Sequence, residues 1–177
     1  MRQLIISCSL SPSSRSALLA EALAEVFRSR GSDVELIDLR EVALPLCDGG
    51  ASYEHPNVEV IRAAIDRASA VAIATPIYNF DVGGATRNLI AMTGKVWTDK
   101  VVAFLCAAGG QGSYMAVMGL ANSLMLDFRS VVVPRFVYAT GAAFDGDIVS
   151  DSAVRERIGG LADELHRFAT ALAKTPA

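Results

Sequence analysis

A chain of 177 residues, 52% hydrophobic and 20% charged, has the length of one domain and the composition of an ordered globular one. Its net charge of −3 supplies no basic field for nucleic acid or an anionic membrane, so an anionic ligand must be held by local groups. The three cysteines, Cys8, Cys47 and Cys106, form no CxxC pair, which argues against a metal site or a disulfide framework.

In chain order, Arg2–Cys8 is a short Ile-rich run suited to a strand buried on both faces. It is too short for a signal peptide, and no apolar stretch reaches the length of a membrane span, so a cytoplasmic protein is expected. Leu18, Leu19, Ala22, Leu23, Val26 and Phe27 mark one face of a helix from Arg15 to Arg30, stopped by Gly31. Asp33–Leu39 is the second strand. Leu44 to Asn57, with its Gly and Pro, reads as a surface excursion.

A helix from Val58 to Ala68 leads into a third strand, Ala70–Thr75, which Pro76 should stop. Gly84 to Thr93 is a short helix. Lys100–Ala108 is the fourth strand, ended by Gly109 and Gly110, and Ser113 to Phe128 is helical. Ser130–Ala139 is a fifth strand whose Pro134 puts it at an edge or in a bulge. Ser152 to Lys174 closes the chain as a helix capped by Asp151 or Ser152. Alternating strands and helices imply βαβ units on a parallel sheet in one domain, residues 1–177. The residues leave two doubly wound forms open, a Rossmann sheet and the flavodoxin-like order 2-1-3-4-5. In both, ligands bind outside the carboxyl ends of the strands.

Three loops leave those ends. The first, SLSPSSRS after strand one, enters a helix whose unpaired N–H groups suit a phosphate; Ser9, Ser14 and Ser16 can add hydroxyls and Arg15 a charge-assisted bond. Capping alone would need one serine. Neither G-x-G-x-x-G nor G-x-x-x-x-G-K-[ST] is present. In the second loop, TPIYNFDVGGATRN, backbone groups and Asn79 could lie against a planar ring, although Tyr78 and Phe80 could equally be core. The third, AAGGQGSY, has glycines that let the backbone approach a ligand or adopt positive φ, and Gln111 offers an amide.

With SxSxxSRS, TPIYNFDVGGATRN and AAGGQGSY in these places, the sequence from Arg2 to about Phe128 resembles the NADPH-dependent FMN reductase family. The resemblance implies an α/β flavodoxin-like three-layer sandwich with a five-stranded parallel sheet, order 2-1-3-4-5. It implies FMN as cofactor, with NADPH or NADH as co-substrate. The FMN phosphate would fall on Ser9, Ser11, Ser14, Arg15 and Ser16, the ring along Pro76, Ile77, Tyr78, Asn79 and Phe80, and its pyrimidine side or the ribityl region near Gly109, Gly110 and Gln111. No side chain is expected as general acid or base, and no metal. The implied activity is hydride transfer from NAD(P)H to FMN and on to a quinone, azo compound or metal oxyanion, with ping-pong kinetics. Two alternatives are release of reduced flavin to a partner monooxygenase and a non-catalytic electron carrier. A homodimer or homotetramer is implied as well. The chain departs from the family at Cys8 (usually Gly), Ser11 (often Arg), Arg87 (often Lys) and Gly119, where sulfonate-system reductases have Tyr.

Overall fold

Residues 1–173 are described by a computed structural model. The first half runs β1 (Arg2–Ser7), α1 (Arg15–Ser29), β2 (Asp33–Asp38), α2 (Pro56–Arg67), β3 (Ala70–Tyr78), β4 (Asp81–Val82) and α3 (Gly84–Thr93). The second runs β5 (Val101–Ala108), α4 (Met118–Phe128), β6 (Val131–Val132), β7 (Val137–Thr140), β8 (Phe144–Asp145), β9 (Ile148–Val149) and α5 (Ser152–Ala171). The main sheet is ordered β2-β1-β3-β5, and β6 and β7 share the far edge against β5. With β6 and β7 taken as halves of one fifth strand, this is the flavodoxin-like order 2-1-3-4-5. The Rossmann alternative is thereby set aside.

Alternation along the buried strands makes two cores. Leu4, Ile6, Ile73 and Phe104 face α2, α3 and α4, while Ile5, Ala72, Val137 and Leu105 face α1 and α5. Two thiols close the first core. Burial pushes both Cys8 and Cys106 up to about 12, with Thr86 working against the shift at Cys8.

Several elements differ from the sequence expectation. Pro76 does not stop β3, which continues to Tyr78. Ala74 turns its carbonyl to β1, accepting from the Cys8 N–H at 2.8 Å, and Pro76, two residues on, faces the same side just where β1 has ended. Its missing N–H therefore costs no ladder bond. The fifth strand is split around Pro134, with both pieces at the sheet edge. The helix expected from Ser113 begins only at Met118, after a 3-10 turn at Gln111–Ser113. Tyr114 holds that delay by packing on Phe136 and Tyr138, with ring centroids 4.8 and 5.3 Å apart. Helix α2 starts two residues early because Pro56 suits a first helical position and the His55 ring caps the Asn57 N–H at 3.2 Å. The β8–β9 hairpin was not foreseen. Helix α5 is capped by Asp151 and ends at Ala171, and the Lys174 end expected from the sequence lies outside the described residues.

Candidate functional site

The carboxyl ends of β1, β3 and β5 lie side by side, because Ser7 pairs with Ala74 and Pro76 with Ala107. Above them opens a cleft of about 1050 Å³, at the upper end of the roughly 300–1,000 Å³ typical of small-molecule sites. Eleven of the thirteen residues expected there line it: Ser9, Ser11, Ser14, Arg15 and Ser16, then Pro76, Ile77, Tyr78 and Asn79, then Gly109 and Gly110. Phe80 and Gln111 lie outside the lining, exposed at the turns that follow.

The first loop is built on its own hydroxyls. Ser14 is the N-cap of α1, accepting from the Ala17 N–H at 3.0 Å, and shares a hydrogen bond with Ser16 at 3.1 Å. The Ser9 hydroxyl accepts from the Ser11 N–H at 3.3 Å. One cap serves one of the first helical N–H groups, so Arg15 and Ser16, at the first two helical positions, keep theirs without an intrahelical acceptor. Beneath them Ser7 is 1% exposed, and its Oγ has no hydrogen-bond partner among the described residues. A buried hydroxyl of this kind is costly unless something fills the cleft. The Arg15 guanidinium stands 5.9 Å from the Phe144 ring centre and within 3.1 Å of where a Cβ on Gly141 would be. The unforeseen hairpin thus stands beside the loop's own cation, and Gly146 and Asp147 at its tip line the same cleft.

The second loop is a hairpin turn. Tyr78 pairs with Asp81, and the two residues between, Asn79 (φ 49°) and Phe80 (φ 64°), both have positive φ, the signature of a type I′ turn. Tyr78 and Phe80 are 55% and 59% exposed, so neither is core. Gly83 donates its N–H to the Pro76 carbonyl at 2.8 Å, and a Cβ there would stand 3.0 Å from the Pro76 ring. A side chain there would have to push the Pro76 ring aside by a few tenths of an ångström, which favours glycine. Thr75 and Thr86 share a 2.6 Å hydrogen bond that ties α3 to the strand end.

The third loop approaches with space to spare. Gly109, Gly110 and Gly112 have no positive φ, and a Cβ on any of them would meet nothing within 4 Å. Their smallness leaves open room beside the loop, of which Gly109 and Gly110 line the cleft, and does not serve a strained backbone. The Tyr138 hydroxyl donates to the Gly110 carbonyl and ties the loop to β7.

Sequence reasoning missed Ser7, Asp38, Arg40, Tyr138 and the hairpin tip. A polar residue closing an otherwise apolar strand was the available signal for Ser7 and Asp38. Burial pushes the Asp38 carboxyl up, but hydrogen bonds from Arg40 outweigh it and hold the group below its ordinary value. Among the described residues no group of three His, Cys, Asp or Glu side chains could hold a metal ion, and no helix is long and apolar enough to cross a membrane.

The family described as NADPH-dependent FMN reductase matches residues 1–145. An NAD(P)H-dependent FAD/FMN reductase of Geobacillus thermodenitrificans is 29% identical over 170 residues, covering 93% of this chain and 91% of that one. An NAD(P)H:quinone oxidoreductase of Solanum tuberosum is 26% identical over 137 residues, covering 72% and 71%. The flavoenzyme NAD(P)H:(acceptor) oxidoreductase FerB of Paracoccus denitrificans has the same fold, with a TM-score of 0.78 at 22% identity over 96% of this chain and 97% of that one. With the family matched across most of its length and three loops meeting at the carboxyl edge of a flavodoxin-like sheet, the chain belongs to the NADPH-dependent FMN reductase family of NAD(P)H-dependent oxidoreductases.

Proposed function

We propose that the chain binds FMN in this cleft and transfers reducing equivalents from NADPH or NADH to a small acceptor such as a quinone. The observation that carries the reading is the Ser7 hydroxyl, buried and unpartnered under a helix terminus with two free N–H groups. That arrangement fits an anionic phosphate tail. Ser9, Ser11, Ser14, Arg15 and Ser16 would hold the phosphate. Pro76 to Asn79 would lie along the ring, and Gly109 and Gly110 would meet its polar edge, with Phe80 and Gln111 exposed at the rim.

FMN supplies the redox chemistry when bound, taking a hydride and passing electrons on. The chain's own residues bind, orient and shield. The β3–β4 turn and the glycine loop both line the cleft, and the absence of side chains at Gly109 and Gly110 would let backbone groups stand close to a planar edge. Nicotinamide and acceptor would enter the same cleft in turn, which predicts ping-pong kinetics. Neither core cysteine acts as a nucleophile, because burial keeps both thiols neutral.

The test is the visible absorption of the purified protein after adding FMN, gel filtration, and anaerobic NADPH or NADH. The expected result is a flavin band that travels with the protein and bleaches. FMN that binds but separates on the column marks flavin as an exchanged substrate, as a supplier of reduced flavin to a monooxygenase requires. A retained band that neither NADPH nor NADH bleaches leaves only an electron carrier. No FMN uptake at all overturns the reading.

A further inference from the structure

The cleft contains a second cation, from outside the three loops. Arg40 follows β2 and divides its guanidinium between two sets of oxygens. Nε lies 3.0 Å from each carboxylate oxygen of Asp38, and Nη2 lies 2.6 Å from Oδ2. Nη1 donates to the carbonyls of Ser11 at 3.4 Å and Pro12 at 3.3 Å. Asp38 also accepts from the Arg40 backbone N–H at 2.8 Å, which fixes the base of the fork. Register supplies the reach: Asp38 pairs with Ser7, so the end of β2 stands beside the start of the loop.

This grip has a consequence for the loop's polarity. Among the described residues no peptide bond is cis, and a trans peptide sets its C=O and N–H on opposite sides. With the Pro12 carbonyl drawn onto Arg40, the Ser13 N–H is turned away from Arg40. The Ser11 carbonyl belongs to a peptide whose nitrogen is that of Pro12 and carries no hydrogen. Both carbonyl dipoles are thereby taken up by the guanidinium and withdrawn from any anion in the loop. Asp38 compensates the charge of Arg40, so what the pair supplies is geometry. A planar fork with donors on two edges can make this grip, and an ammonium cannot.

We propose that Asp38 and Arg40 form a clasp that sets the loop of residues 9–14 in its phosphate-accepting form, with Arg40 a positioning residue and not a phosphate ligand. The proposal rests on the reading of the cleft as an FMN site. Its signature is a loss of discrimination between FMN and riboflavin, which has the same ring and no phosphate.

Binding of both flavins to the wild type, Arg40→Met, Arg40→Lys and Asp38→Asn is read by quenching of flavin fluorescence. The wild type is expected to prefer FMN. Arg40→Met is expected to lose about ten-fold in FMN affinity, the scale of one charge-assisted hydrogen bond, with riboflavin affinity unchanged. Arg40→Lys is expected to behave as Arg40→Met does, since an ammonium cannot make the fork, whereas Asp38→Asn keeps one acceptor oxygen and frees the Arg40 charge and is expected to keep the preference for FMN. Rescue by Lys would mean that charge alone is read, which overturns the clasp. An unchanged preference in Arg40→Met, or equal loss of both flavins, overturns it too, the latter by making the pair a plain fold contact. A wild type that binds both flavins equally, or neither, overturns the underlying phosphate reading instead.

Discussion

Phe80 is held at φ 64°. For a residue with a Cβ the left-handed region costs roughly 1–2 kcal/mol, and a ring 59% exposed recovers little of that by packing. Asn79, at φ 49°, tolerates such a conformation, but Phe80 does not, and strain kept at the rim of a cleft points to use. Phe80→Gly should therefore raise the melting temperature, by a gain of about 1 kcal/mol at most once glycine's own entropy is set against the relief. It should also lower kcat/KM for a planar acceptor. A lower melting temperature would refute the strain, and an unchanged kcat/KM would refute the use. The sequence marked Tyr78, Asn79 and Phe80 as a loop of interest. It could not disclose the turn type, because Phe has no preference for positive φ and only the pairing of β3 with β4 imposes it.

At the scale of elements, the end of β2 governs the loop after β1. Burial pushes the Asp38 carboxyl up while Arg40 pulls it further down, so its folded value lies below the unfolded one, about 3.9. A depressed carboxylate contributes stability that is present above the unfolded value and is lost as pH falls through the folded value. Arg15 and Glu21 of α1 and Asp147 of the hairpin also line this cleft, but only Arg40 bonds the carboxylate. The stability difference between wild type and Arg40→Met, from urea unfolding, should be level from about pH 8 to pH 5 and shrink below about pH 4. A difference that stays level at lower pH would show that Asp38 carries no folded-state advantage. Arg40 was invisible in the sequence because it stands 25 residues after Arg15 and acts only through parallel pairing of β1 with β2. Tyr138 was hidden in the same way, since β7 meets the Gly110 loop only across the sheet edge.

Across the whole molecule, stability and function separate along the strands. The cleft occupies the carboxyl edge, while Gln3 lies at the amino end of β1 between Val34 and Ala70. Gln3 is 1% exposed, and neither of its amide atoms has a hydrogen-bond partner among the described residues. An unsatisfied buried polar group costs about 1–3 kcal/mol, and leucine is close to glutamine in volume. Gln3→Leu should move the urea midpoint upward by a gain of about 1–2 kcal/mol and leave FMN uptake as in the wild type. A destabilised variant would mean that the amide is satisfied after all.

By itself the sequence determined the alternation of strands and helices, the three loops at one sheet edge and the serines and glycines in them. Those are properties of local period, turn chemistry and spacing, which short windows of residues carry. Only the tertiary structure decided that Pro76 stays within β3, that the fifth strand is two pieces, and that a hairpin from Phe144 to Val149 stands beside Arg15. It also decided that Asp38 and Arg40 grip the first loop. Each of these depends on which backbone groups stand opposite one another across the sheet, and that register is set by packing between segments far apart in the chain.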